Sequence, residues 1–130
     1  MSKVATQHGS ILIVEDDPDL RDSLQLLLRT DGHRAAAAAD GGEAIELVAR
    51  KDIRPDIVIV DYNLPGELNG IQVIARLREL LGRDVPALVL TGDISTETLR
   101  EIARQGHVQR SKPISALDLT SLIQSLLAKA

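Results

Sequence analysis

The chain has no cysteine, no tryptophan and no phenylalanine, and Tyr62 is its only aromatic residue. Without thiols there is neither a disulfide framework nor a thiolate metal site, and the redox compartment stays open. Without aromatic bulk, aliphatic side chains must fill the core. Cations are also in deficit: 15 Lys and Arg against 19 Asp and Glu leave a net charge of −4. A nucleic-acid-binding face needs a surplus of cations to neutralise phosphates, so no direct nucleic-acid contact is expected. No apolar run approaches the ~20 residues of a membrane span, and no signal-peptide pattern opens the chain. A cytoplasmic protein without membrane contact is therefore expected. The three histidines, His8, His33 and His107, show no metal-ligand spacing, and there is no internal repeat.

What is present suits one soluble globular domain: 130 residues, 44% hydrophobic and 26% charged. Residues 1–9 are polar and aperiodic and read as a disordered leader, with the folded domain over residues 10–130. The organising stretch is Ile57-Val58-Ile59-Val60-Asp61, four β-branched residues running into an aspartate and then into the turn formers Asn63, Pro65 and Gly66. A run without polar alternation suits a strand covered on both faces of a parallel sheet. It delivers Asp61 at the strand's carboxyl end, where open α/β sheets bind their ligands.

Around that strand, β and α patterns alternate. Ser10–Val14 reads as a strand, Asp17-Pro18 as an N-cap with proline at the first helical position, and Leu20, Leu24, Leu27 and Leu28 as one helical stripe ended by Gly32. Arg34–Ala39 is alanine-rich and helix-prone by propensity, yet the alternation requires a strand there. Asp40 with Glu43 resembles a capping box for a helix facing inward with Ala44, Leu47 and Val48. The central strand covers 56–60. Asn69 caps a helix carrying Ile74, Leu77 and Leu81, closed by Gly82. A strand over 87–90 is followed by a helix capped by Ser95 or Thr96, with a thin stripe of Leu99, Ile102 and Ala103. A short polar strand over 108–111 precedes the last helix, which begins near Ser115 and carries Leu119, Leu122, Ile123, Leu126 and Leu127. Five strand–helix units in strict alternation imply an α/β fold with a doubly wound parallel sheet, ordered 2-1-3-4-5.

The unexplained polar residues fall at strand ends: Glu15 and Asp16 follow the first strand, Asp61 ends the third, Thr91 the fourth and Lys112 the fifth. Three carboxylates crowded at one switch point repel unless a cation sits between them. An all-oxygen donor set points to a hard ion such as Mg²⁺. Asp61 is then a candidate nucleophile, since an aspartate carboxylate can accept a phosphoryl group as an acyl phosphate. Mg²⁺ and the Lys112 ammonium would neutralise two phosphoryl oxygens. The Thr91 hydroxyl and a backbone N–H near Gly92 would donate to the third.

The motifs Ile11-Leu12-Ile13-Val14-Glu15-Asp16-Asp17, Asp61-Tyr62-Asn63-Leu64-Pro65, Leu90-Thr91-Gly92 and Lys112-Pro113 together resemble the receiver domain of bacterial two-component response regulators, over about residues 10–128. The resemblance implies a flavodoxin-like (βα)5 fold and two-component phosphorelay signalling. It assigns Asp61 as phosphoacceptor, Asp16 as a direct Mg²⁺ ligand, Glu15 as a ligand through water and the Asn63 backbone carbonyl as a further one. Thr91 becomes the switch hydroxyl and Lys112 the phosphoryl partner, often with a cis peptide before Pro113. Implied partners are a histidine kinase or a histidine phosphotransfer domain; homodimerisation is left open. Such a domain is not an enzyme beyond slow self-dephosphorylation.

Two departures stand out. Gln109 occupies a position where many receivers carry Tyr or Phe, and the loop Asp61–Gly70 is one residue longer than the commonest pattern. That loop, with Leu90-Thr91-Gly92-Asp93, looks most like receivers attached to hybrid histidine kinases, and the polar leader fits such a tether. In 130 residues no output domain is read, so signalling is expected to pass through a partner or the chain to be a piece of something longer.

Taken singly, Glu15 and Asp17 suit helix capping, Asp61 a turn, and Lys112 solvated surface; for Asp17 the cap is the adopted reading. Three other functions compete. A haloacid dehalogenase-like phosphatase needs a second aspartate where Asn63 stands. A flavin carrier needs a phosphate-binding loop where Glu15-Asp16-Asp17 would repel phosphate. A pseudo-receiver that docks partners without phosphorylation is opposed only by the completeness of the acidic site.

Overall fold

Short aliphatic strands, none longer than five residues, lie side by side in a five-stranded parallel sheet of order β2-β1-β3-β4-β5. The computed structural model describes residues 7–92 and 95–129. In chain order the elements are β1 (Ser10–Val14), α1 (Pro18–Thr30), β2 (Arg34–Ala38), α2 (Gly41–Ala49), β3 (Ile57–Asp61), α3 (Gly70–Leu81), β4 (Ala87–Thr91), α4 (Thr96–Arg104), β5 (Val108–Ser111) and α5 (Ala116–Lys129). This is the doubly wound, flavodoxin-like arrangement that the alternating pattern predicts.

The period of two along each strand divides the core into two layers. Val58 and Val60 of β3 pack with Val48 of α2, with Ile74 and Leu77 of α3 and with Ile102 of α4. Their neighbours Ile57 and Ile59 pack on the opposite face with Leu24 and Leu28 of α1 and Leu119 and Ile123 of α5. Every residue of β3 and β4 is buried, which is why these strands show no polar alternation in sequence. The alanine-rich stretch is a strand despite its helical propensity. Its ladder with β1 and the burial of Ala35 and Ala38 override that preference. Ala39 leaves the ladder because its N–H is taken by Glu43 Oε1 at 3.2 Å.

Helix ends follow local chemistry. Asp17 accepts the N–H groups of Asp19 and Leu20 ahead of Pro18, and Gly32 continues the chain at φ +92° after α1. At α2 the Asp40 side chain accepts the Glu43 N–H as expected. The Glu43 carboxylate returns to Ala39 rather than to Asp40, so the box is not reciprocal at one residue. The reciprocal capping box is at α3, where Asn69 accepts the Gln72 N–H at 3.0 Å and Gln72 accepts that of Asn69 at 2.8 Å. Ser95, not Thr96, caps α4.

Three boundaries and one packing expectation are corrected. Asp56 lies before β3 because its carboxylate turns back to accept the Ser10 N–H at 2.8 Å. Asp61 and Thr91 are themselves the last ladder residues of β3 and β4, paired with Leu90 and Ser111. Of the three residues expected to anchor α4, only Ile102 is buried; Leu99 is half-buried and Ala103 is exposed. Most of the proposed leader, Met1–Thr6, lies outside the described residues, as does Asp93. Its described end is tied down: the Gln7 N–H and carbonyl pair with the Gln124 side chain, and the Gly9 N–H donates to His33 Nδ1 at 3.2 Å.

Candidate functional site

The carboxyl ends of β1, β3, β4 and β5 converge at the switch point of the sheet, between β1 and β3. Glu15 directly follows β1 and remains tied to β2 through its N–H to the Ala38 carbonyl, at 3.0 Å. Its carboxylate Oε2 accepts the Asp17 N–H at 3.0 Å, and Arg21 Nη1 donates to the Glu15 carbonyl at the same distance. The acidic turn is thus held from both sides. Asp61 closes β3 with Oδ1 accepting the Asn63 N–H at 3.1 Å. Gly70 packs so tightly behind it that a Cβ there would lie 2.6 Å from the Asp61 carbonyl oxygen. Any side chain at position 70 would displace the strand end that carries the carboxylate. Lys112 follows β5, anchored by its N–H to the Thr91 carbonyl at 2.9 Å, and the Lys112–Pro113 peptide is cis.

The Lys112 ammonium bridges the two buried acids. Its Nζ lies 2.9 Å from Asp61 Oδ2, with which it is hydrogen-bonded, and 2.9 Å from Glu15 Oε1. Both acids are buried, Glu15 to 1% exposure and Asp61 to 5%, so the ammonium meets them out of contact with bulk water. Asp16 is exposed at the rim, and carboxylate oxygens of Glu15, Asp16 and Asp61 all lie within 4.8 Å of one another. Burial raises the Glu15 carboxyl above its ordinary value; the pull of Lys112 and of the Asp17 N–H opposes this, and the Asp61 charge adds to it. For Lys112, burial works to lower the ammonium, but bonding to Asp61 and Glu15 outweighs it and holds the group above its ordinary value. Three carboxylates against one ammonium leave an excess of two negative charges when all are ionised. A divalent cation with oxygen preference answers that excess.

Of the residues singled out in the sequence, Glu15, Asp16, Asp61 and Lys112 meet in one cluster. Asn63 touches it through its backbone N–H, and its side chain is exposed. Thr91 is 1% exposed on the adjoining strand, and its hydroxyl oxygen accepts a hydrogen bond from Gln109 Nε2 at 2.8 Å. Gly92 is exposed, with open space where a side chain would stand. Tyr62 is half-buried beside the site, packed on the α2–α3 layer.

Two contributors escaped the sequence reading, and so did the contact made by Gln109, which the sequence marked only as a departure. Arg21 sits in the second turn of α1, four residues after the Asp17 cap, a spacing that returns its side chain over the acidic turn. Gly70 follows the Asn69 cap directly, a place where glycine signals close approach as readily as flexibility. Gln109 pairs with Val89 in the β4–β5 ladder and its side chain reaches on to Thr91, a contact that no local spacing reveals.

Fold and site define a flavodoxin-like α/β domain with a lysine-bridged acidic cluster at its switch point. The chain belongs to the response regulator receiver domain family, which it matches over residues 11–124. It is 37% identical over 120 residues to the response regulator MprA of Mycobacterium leprae, covering 92% of this chain and 51% of that relative. It is 42% identical over 91 residues to the DNA-binding response regulator MtrA of Mycolicibacterium smegmatis, covering 70% of this chain and 38% of MtrA. An uncharacterized 14.6 kDa protein of Leptolyngbya boryana is 35% identical, with 88% of this chain and 86% of that one covered. The chain thus spans about half the length of MprA and less of MtrA. Among solved structures, the chemotaxis response regulator CheY4 of Vibrio cholerae superposes with a TM-score of 0.79 at 28% identity, covering 93% of this chain and all of that one, 100%. The signal receiver domain of a modulated diguanylate cyclase from Desulfovibrio desulfuricans G20 gives 0.81 at 29% identity over 95% and 96% of the two chains. The protein is accordingly a receiver domain of two-component signalling. No helix among the described residues is long and apolar enough to cross a membrane.

Proposed function

We propose that this chain is a phospho-accepting receiver in which Asp61 takes a phosphoryl group from a phosphohistidine. The observation that carries this reading is the Lys112 ammonium set 2.9 Å from both Asp61 and Glu15, inside a cluster of three carboxylates. In the transfer, a carboxylate oxygen of Asp61 attacks phosphorus, the P–N bond to the donor imidazole breaks, and the imidazole leaves as a neutral ring after taking a proton. Lys112 follows the charge as it moves from the carboxylate to the phosphoryl oxygens. The Thr91 hydroxyl and the backbone N–H near Gly92 donate to another of these oxygens.

Glu15, Asp16, Asp61 and the Asn63 carbonyl would hold Mg²⁺. The all-oxygen donors and the excess of carboxylate charge over the one ammonium suit it. Bound there, Mg²⁺ supplies positive charge against the phosphoryl oxygens. The donor is a histidine kinase or a histidine phosphotransfer domain in the cytoplasm, and phosphorylation shifts α4 and Thr91 between two arrangements that a protein partner reads. We take residues 10–130 as the receiver and 1–9 as a leader, the whole suited to tethering on a hybrid histidine kinase and lacking direct nucleic-acid contact.

Intact-mass measurement after incubation with acetyl phosphate and Mg²⁺ tests the reading. One phosphoryl group should be gained, and none should be gained by Asp61→Asn or without Mg²⁺. A folded wild-type protein that gains nothing from acetyl phosphate or from a cognate kinase would be a docking pseudo-receiver instead.

A further inference from the structure

The buried Thr91 hydroxyl has one proton and two lone pairs, and among the described residues only its accepting side is occupied, by Gln109 Nε2 at 2.8 Å. Gln109 is half-buried on β5, the neighbouring strand, which also brings Lys112 to the site through the Thr91 carbonyl. One strand therefore leads into Lys112 at the site and carries the amide that contacts the Thr91 hydroxyl. Gln109 is an amide, able to donate or to accept, and the two choices have opposite consequences. With the NH₂ toward Thr91, a lone pair is filled and the hydroxyl proton is left free for an oxygen at the site. With the carbonyl toward Thr91, that proton would be consumed.

We propose that Gln109 is a positioning residue that directs the Thr91 hydroxyl proton toward the phosphoryl oxygens at Asp61 by donating its amide N–H into the Thr91 oxygen. This rests on the phospho-accepting reading above and extends it to how the hydroxyl is aimed. A polar strand position thereby couples to the hydroxyl through a directional hydrogen bond, where an apolar or aromatic side chain would couple only through shape. A neutral hydrogen bond of this kind corresponds to a change in affinity of about threefold to tenfold.

Binding of beryllofluoride with Mg²⁺, a stable stand-in for the phosphoryl group, reads the effect. Gln109→Met keeps length and burial but loses the donor, and should weaken beryllofluoride binding by about threefold to tenfold. Gln109→Glu keeps the shape but offers only acceptors when ionised, so it should weaken binding more than Met does. The added Glu charge also repels the anion directly, so only the part of its effect that needs the Thr91 hydroxyl counts for the coupling. In a Thr91→Ala background Gln109→Met should have no further effect and Gln109→Glu only the loss due to its charge, because the coupling runs through the hydroxyl. In the free protein, the Gln109 side-chain amide resonances should move on Thr91→Val. Equal binding by wild type and both variants, or an unmoved Gln109 amide, would overturn the inference while leaving the functional reading intact. Failure of the wild type itself to bind would defeat the functional reading first, and this inference with it.

Discussion

Helices α3 and α4 both follow strands that end at the site, yet they are anchored very differently. α3 runs 12 residues, opens with a reciprocal capping box, and buries Ile71, Val73, Ile74 and Leu77. α4 runs nine residues, has a single side-chain cap at Ser95, and buries Ile102 alone. One long apolar face makes α3 part of the core, whereas α4 rests on one side chain. The element beside Asp61 is therefore fixed, and the element beside Thr91 is the one whose detachment costs least. A signal that must move something at small cost would move α4.

The contrast is most directly broken by truncating the two anchors. Leu77→Ala should lower global stability by about 2–5 kcal/mol in urea unfolding, because a fully buried side chain is replaced by a cavity. Ile102→Ala should instead loosen α4 first. Its amides should exchange hydrogen much faster while those of α3 keep their protection, with a smaller loss in the global midpoint. Equal global losses, with both helices exchanging together, would show that α4 is as firmly integrated as α3.

Capping sharpens the same comparison at lower energy. Asn69→Ala removes the side-chain half of the α3 box, which accepts the Gln72 N–H, and should cost about 1 kcal/mol of global stability, measured by denaturant unfolding. Ser95→Ala should leave the global midpoint nearly unchanged and appear as faster exchange in the first turn of α4. If Ser95→Ala matched Asn69→Ala in global cost, the helices would not differ in kind.

The smallest expected effect is with pH. His33, 5% exposed at the β1–β2 end of the sheet, is lowered below its ordinary value of 6.5 by burial and by His8. His107, half-buried between α4 and β5, is lowered from the same value by burial and by Arg78. Both bind protons less readily folded than unfolded. Their stabilising contribution is thus complete above the unfolded value and is lost as pH falls below it. Urea midpoints should decline on acidification from about pH 7 to about pH 5.5, and His33→Gln should flatten the decline. His107→Gln should act on α4 exchange more than on the midpoint. A wild-type midpoint constant over that range would refute the assignment for both.

Much of the site was legible because its residues end continuous apolar runs. Asp61 follows four β-branched residues, and Glu15 follows Val14 in the same way. Asp61 and Thr91 do end their strands, although the ranges read from sequence, 56–60 and 87–90, stop one residue short of these ladder residues. Polar character marks where a buried run stops, but backbone pairing extends as far as the neighbouring strand offers partners. The weak stripe of α4 was legible too, though Ala103 proved exposed: a small residue satisfies an apolar pattern without needing burial. What stayed hidden was the cross-strand work of Gln109 and the backward reach of Arg21.

The order of residues by itself determined the alternation of strands and helices, the caps at Asp17 and Asn69, and the delivery of carboxylates, hydroxyl and ammonium to strand ends. These depend on periodicity and on hydrogen bonds spanning a few positions, and such information is local. Only the tertiary structure decided that the helical propensity of the alanine run yields to strand pairing at Ala35–Ala38, that one ammonium serves both Glu15 and Asp61, and that an amide on β5 holds the Thr91 hydroxyl. Each of these joins residues far apart in the chain, so the energy that settles it exists only once the strands lie side by side.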